Sequence, residues 1–69
     1  MDSRIMKYIP KSKVAAVSDA WYNEDGYWIT LREGWNAGRT DAGCRVIHED
    51  NITGIRWQIA GIEREGGKR

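Results

Sequence analysis

The chain of 69 residues has one cysteine, one histidine, one proline and no phenylalanine. A lone Cys44 excludes an internal disulfide and fits a reducing compartment. With His48 as the sole histidine, no zinc-ligand spacing exists either. Neither a metal site nor a cofactor is expected. No apolar run approaches the roughly 18 residues that a membrane-spanning helix needs. The opening Met1-Asp2-Ser3-Arg4-Ile5-Met6 has no apolar core segment and does not read as a secretory signal, and Met6 is an alternative start. Charge of neither sign dominates. Eleven basic residues against ten acidic leave a net charge of +1, which argues against a nucleic-acid partner. Together these features lead us to expect a cytoplasmic protein with no membrane partner.

What the chain has in excess is tryptophan and tyrosine, four and three residues respectively. Every aromatic ring therefore carries a polar handle, which suits a surface or an interface better than a dry core. Two aromatic pairs, Trp21-Tyr22 and Tyr27-Trp28, flank the polar turn Asn23-Glu24-Asp25-Gly26. Aromatic and β-branched residues favour a pleated, half-buried surface, and Asp-Gly supplies the positive φ that hairpin turns need. The stretch from Trp21 to Leu31 reads as the centre of a β-hairpin.

One domain is expected over residues 1–69. Residues 1–7 read as a loose lead-in, and Tyr8 to Lys13 as a short extended arm, because Pro10 biases Ile9 to extended geometry. The span 8–48 reads as β-rich. Its first strand runs from Val14 to Tyr22, although neither of its faces is cleanly apolar. The second runs from Tyr27 to Glu33, with Tyr27, Ile29 and Leu31 on one face and Trp28, Thr30 and Arg32 on the other. Gly34-Trp35 ends it, and residues 36–43 form a Gly-containing loop. The third strand, Cys44 to His48, puts Arg45 and Ile47 on one face and Cys44, Val46 and His48 on the other. Asp50 or Asn51 then caps a helix over residues 51–64, whose Ile52, Ile55, Ile59 and Ile62 form a narrow apolar stripe. Gly66-Gly67 ends the helix, and residues 65–69 are a basic tail. The fold class is α+β: a small antiparallel meander of about three strands with one C-terminal helix packed on one face.

No catalytic constellation is visible. Cys44 and His48 share a strand face but sit roughly 13 Å apart, too far for a nucleophile and its base. His48-Glu49-Asp50 alternate across the strand and do not converge on a metal. Arg32, Arg39, Thr40 and Arg45, with Trp28 and Trp35, are the candidate ligand-binding set. Arginine forks hold phosphates and tryptophan faces hold bases. The plainer alternative is an ordinary surface hairpin with stacked Arg and Trp. At about 100° per residue, Gly54, Trp57, Gln58 and Gly61 share a second helix face, where two glycines flank a tryptophan. That face reads as a shallow groove for a second subunit, ahead of a flat ligand, against the plainer alternative that the glycines have no role and Trp57 lies over the sheet edge. So small a chain buries a thin core, and with no disulfide or metal the remaining staple is a homo-oligomer.

Three segments carry a resemblance. Tyr8-Ile9-Pro10-Lys11-Ser12-Lys13-Val14, then Asp25-Gly26-Tyr27-Trp28-Ile29-x-Leu31, then Cys44-x-x-Ile47-His48-Glu49-Asp50 resemble a group of short uncharacterised proteins from phages and prophages of Firmicutes. The similarity spans about residues 6–64. It implies a phage accessory protein acting in the host cytoplasm. Such proteins commonly inhibit host defence, either by sequestering a small nucleotide signal or by binding a defence protein such as a CRISPR effector nuclease. Most are not enzymes. Capture of a nucleotide signal by an oligomer is the first expectation, and protein-directed inhibition the alternative.

Overall fold

The computed structural model describes residues 2–37 and 45–64. The elements in chain order are α1 (Ser3–Met6), α2 (Lys11–Val14), β1 (Val17–Asn23), β2 (Gly26–Leu31), β3 (Trp35–Asn36), β4 (Val46–Glu49), α3 (Ile52–Ala60) and β5 (Glu63–Arg64). Strands β1, β2 and β4 form an antiparallel sheet in the order β1-β2-β4, so the α+β architecture with a helix on the sheet is as the hydrophobic pattern indicates. Strands β3 and β5 make a separate two-stranded ribbon, in which Trp35 pairs with Arg64 and Asn36 with Glu63.

The hairpin turn forms where the Asp-Gly signal puts it. Gly26 has φ +125° and pairs with Asn23. The Asn23 side-chain oxygen accepts from the Asp25 backbone N–H (2.9 Å) and from the Trp28 indole N–H (3.0 Å). One side chain thus both closes the turn and ties it to the strand that follows. Along β2 the expected alternation holds: Ile29 and Leu31 are buried, while Trp28 and Thr30 stand half-buried on the opposite face.

The first strand differs from its expectation in extent and in phase. It begins at Val17, not Val14, and a bulge sits between Val17 and Asp19. The extra residue lets Val17 and Ala20, three apart, both turn to the core. A strict period of two therefore finds no apolar face there. The hydroxyl of Ser18, the unpaired residue, bonds both the hydroxyl and the backbone oxygen of Thr30 (2.8 and 3.2 Å).

The N-terminal segment is corrected more fully. Residues 3–6 are not loose: they form α1, whose Ile5 is fully buried. The Asp2 carboxylate caps it by accepting from the Arg4 N–H (2.9 Å), and the Asp2 N–H donates to the Ala20 carbonyl (2.8 Å). Residues 11–14 are not an extended arm but α2, with Pro10 at its N-cap. Pro10 itself is extended at that cap, and its φ of −64° fits a helix entry. From α2, the Lys13 ammonium donates to the carbonyls of Ile59 and Ala60 (3.2 and 2.8 Å), so a cation meets the negative end of α3.

The C-terminal helix starts at the expected cap: the Asn51 side chain accepts from the Gly54 N–H at 2.8 Å. It ends earlier than expected, at Ala60, with Gly61 as its C-cap. Residues 63–64 leave the helix to pair with β3. Ile55, Ile59 and Ile62 enter the core and Ile52 is half-buried against it. One cluster results, joining Ile5 and Ile9, Ala16, Val17 and Ala20 of the first strand region, Ile29 and Leu31, Ala37, Ile47 and the three isoleucines of α3 and its exit. Both α1 and α3 thus feed the same face of the sheet. Among the described residues no helix is long and apolar enough to cross a membrane.

Candidate functional site

The sheet face turned away from the core carries an aromatic row. Trp21, Trp28 and His48 are register partners on β1, β2 and β4. The two indoles stack at 5.9 Å between centroids and 4° between planes, and the His48 ring lies 4.2 Å from Trp28. His48 Nε2–H also donates to the Asp25 carbonyl (2.6 Å), which fixes the ring to the hairpin turn. Because β1 and β4 lie on opposite sides of β2, Trp28 has a neighbouring ring on each flank, and its N–H is given to Asn23. The row is a cross-strand brace. It leaves Trp28 poorly placed to stack on a base.

The other described members of the candidate ligand set, Arg32, Trp35 and Arg45, lie on different parts of the fold. Arg32 is exposed just beyond the end of β2, on the Trp28 side by alternation. Arg45 precedes β4 on the side of Ile47. Trp35 sits in the β3–β5 ribbon with the Arg64 guanidinium 5.3 Å from its ring centre. Arg39 and Thr40 lie outside the described residues, as does Cys44.

The second helix face is also divided. The Glu49 carboxylate lies against Gly54, where an added Cβ would stand 2.5 Å from it, and accepts from the Gln58 amide at 2.8 Å. Gly54 and Gln58 thus have a use within the chain, and Gly61 ends the helix. Trp57 alone of that set is open, at 69 % exposure, in a recess of about 440 Å³ lined by Thr53, Arg56, Trp57 and Ala60.

A different set of residues is gathered by the fold. Arg4, Lys7, Tyr8, Tyr22, Tyr27 and Ile52 line a cleft of about 320 Å³. Tyr22 and Tyr27 are register partners at the hairpin end of β1 and β2, with rings 4.6 Å apart. Arg4 and Lys7 come from α1 and its exit, and Ile52 is the first residue of α3. The cleft opens where these two helices reach the tyrosine end of the sheet. Among the described residues its lining carries two cations and no carboxylate. Each cation is held over a ring: Arg4 5.2 Å from the centre of Tyr22, and Lys7 5.4 Å from that of Tyr8, which also carries Arg56 at 5.6 Å. Such contacts favour the cation, and Arg4 in addition gives its Nε and Nη2 donors to the Asp2 carboxylate. No group of three His, Cys, Asp or Glu among the described residues is placed to hold a metal ion.

Arg4 is oriented by Asp2, whose carboxylate accepts from its Nε (3.1 Å) and Nη2 (2.8 Å) as a fork. Those hydrogen bonds, and the one from the Arg4 backbone N–H, lower the Asp2 carboxyl to a pKa of about 2, and the same pairing raises that of Arg4. A carboxylate whose folded pKa is depressed stabilises fully above its ordinary value of 3.8, and that stabilisation is lost as pH falls through about 2. Asp2→Asn is therefore expected to flatten the melting-temperature profile between about pH 4 and pH 2. Parallel wild-type and variant profiles in that window, followed by tryptophan fluorescence, would show that the pair contributes nothing.

No family model, no curated protein and no solved structure matches this chain. The chemistry of the site is thus read from its own residues. The cleft is hidden in the sequence because Tyr22 and Tyr27 read as strand residues, Tyr8 as part of an extended arm, and Arg4 and Lys7 as part of a loose segment. One signal is present: Arg4, Lys7 and Tyr8 stand at i, i+3 and i+4, the spacing that groups side chains on one helical face.

Proposed function

We propose that this chain is a binding protein, not an enzyme, and that it captures a small nucleotide signal at the Arg4–Lys7–Tyr8–Tyr22–Tyr27 cleft. The observation that carries the reading is the pairing of cations with phenol rings in one recess, where Lys7 is free of a carboxylate partner among the described residues while Arg4 is shared with Asp2 at the rim. A nucleotide offers the two complements: phosphate for the charged donors, a flat base for the rings. The resemblance to phage and prophage proteins supplies the setting, a counter-defence role in an infected bacterial cytoplasm. Each charge-assisted hydrogen bond contributes about 1.5–3 kcal/mol. A stacked base contributes roughly 1–3 kcal/mol.

A ligand that binds only the folded state at 100 times its dissociation constant stabilises by about 2.7 kcal/mol. In a domain this small that corresponds to a rise in melting temperature of about 10–20 °C. The test is a thermal-shift screen of cyclic di- and oligonucleotides and ADP-ribose derivatives. Lys7→Ala should abolish most of the shift, and Arg45→Ala should leave it. The reverse pattern would return the site to the Arg32, Trp35 and Arg45 set.

A second reading is protein-directed inhibition of a host defence nuclease. The exposure of Trp57 beside Arg56 supports it, since these two residue types dominate binding hot spots. No thermal shift with any nucleotide, together with a nuclease retained by the wild type and lost with Trp57→Ala, would favour this reading over the first. In either case self-association, expected from the thin core, is checked separately by solution mass.

A further inference from the structure

We infer that the captured ligand carries two bases joined through phosphate, a dinucleotide, and that Arg56 and Trp57 form the second half of its site. This rests on the nucleotide-capture reading above and specifies the class of ligand. This cleft and the Trp57 recess are neighbours through α3. Ile52 lines the tyrosine cleft and Arg56 the Trp57 recess, and these positions stand at i and i+4 on one helix. Arg56 crosses between them, because its guanidinium lies over Tyr8, a wall of the other recess.

The order of chemical groups across this surface is aromatic, cationic, aromatic. At one end stand Tyr22 and Tyr27, paired and flanked by Arg4. In the middle Tyr8 carries two cations, Lys7 and Arg56, at 5.4 and 5.6 Å. With both cations on it, Tyr8 is a platform that positions charge and not a free stacking face. At the other end is Trp57, 69 % exposed, with no ring partner among the described residues. A mononucleotide would use one end and the centre and leave the other ring idle. A base–phosphate–base ligand would use all three. The tyrosine cleft alone, about 320 Å³, is at the small end of ligand pockets.

The experiment is calorimetric titration of the full chain with mononucleotides (AMP, GMP, CMP, UMP), the corresponding linear and cyclic dinucleotides, and a deoxythymidine decamer. At least one dinucleotide should bind about 5- to 150-fold tighter than its mononucleotide, the gain expected from one further stacked base. Trp57→Ala removes a stacking face and should weaken the dinucleotide by about 5- to 150-fold while leaving the mononucleotide unchanged. Lys7→Ala should weaken both. The high exposure of Trp57 means its alanine variant should fold, which an unchanged melting temperature without ligand verifies. Equal affinity for mono- and dinucleotide, or a Trp57→Ala variant that binds the dinucleotide normally, overturns this inference and leaves single-nucleotide capture standing. No binding by any nucleotide overturns both. A decamer that binds far more tightly than every dinucleotide overturns the small-ligand assignment in favour of single-stranded nucleic acid.

Discussion

Ile5→Ala should lower stability by about 2–4 kcal/mol, enough to leave a large part of the population unfolded at room temperature. Ile5 is fully buried in the common cluster, and it is held there from both sides. The Asp2 N–H anchors the segment to Ala20 on β1, and the Asp2 carboxylate caps the turn that presents the side chain. Truncation leaves a cavity in the shared core where α1 meets β1, and a paired strand does not collapse easily. A core of this size supplies roughly 3–5 kcal/mol in all, so the loss is most of the margin. The measurement is urea denaturation followed by tryptophan fluorescence, with Val14→Ala as a companion. Val14 is 40 % exposed in α2 and its truncation should cost well under half as much. If Ile5→Ala shifts the transition no more than Val14→Ala does, residues 3–6 are dispensable and the segment is as loose as its composition suggests.

Gly26→Ala should be comparably damaging, at about 2–6 kcal/mol, from two causes that can be separated. The first is backbone conformation: at φ +125° an L side chain is strained, which costs about 1–3 kcal/mol. The second is space. A Cβ at Gly26 would stand 2.5 Å from the Glu49 carbonyl oxygen and 2.9 Å from the Asp50 Cα, and both are backbone atoms at the end of β4. Relieving that contact means moving the strand, which adds about 1–3 kcal/mol. Gly34 isolates the first cause. It has φ +94°, and a Cβ there would meet nothing within 4 Å, so Gly34→Ala should cost strain alone, about 1–3 kcal/mol. Equal costs for the two variants in the same denaturation assay would mean that β4 yields freely at its end. The steric half of the argument would then fail.

Several features of the fold were legible from local pattern. Asp25-Gly26 between two aromatic pairs specified the turn, and the alternation of Tyr27, Ile29 and Leu31 specified the buried side of β2. Asn51 ahead of isoleucines at helical spacing specified the start and inward face of α3. Each of these signals is contained in a few neighbouring residues, where backbone preference and side-chain period act directly. What failed to show lacked such a signal. The bulge at Ser18 shifts the period within β1, so the strand reads as having no apolar face. The helices α1 and α2 are four residues each, shorter than a period can reveal and too short to form without support. They exist because Ile5 is buried and because Lys13 reaches the carbonyl end of α3.

The same division governs the candidate site. Composition pointed to arginine with aromatic rings as the binding chemistry, though with tryptophan and arginine as its carriers and not Lys7 or the tyrosines. The location of the site was not evident from the chain. Sequence proximity grouped Trp28, Arg32, Trp35 and Arg45, yet Trp28 is flanked by Trp21 and His48, and Trp35 stacks with Arg64. The residues that meet instead, Arg4, Lys7, Tyr8, Tyr22, Tyr27 and Ile52, come from three separate parts of the chain. Which rings face which cations depends on the strand register after the bulge and on how α1 and α3 settle over one shared core. Those are outcomes of long-range packing, in which hydrophobic burial is non-directional and only the assembled shape decides the neighbours. The sequence by itself determined the kinds of contact this protein can make; tertiary structure alone decided where on its surface they are made.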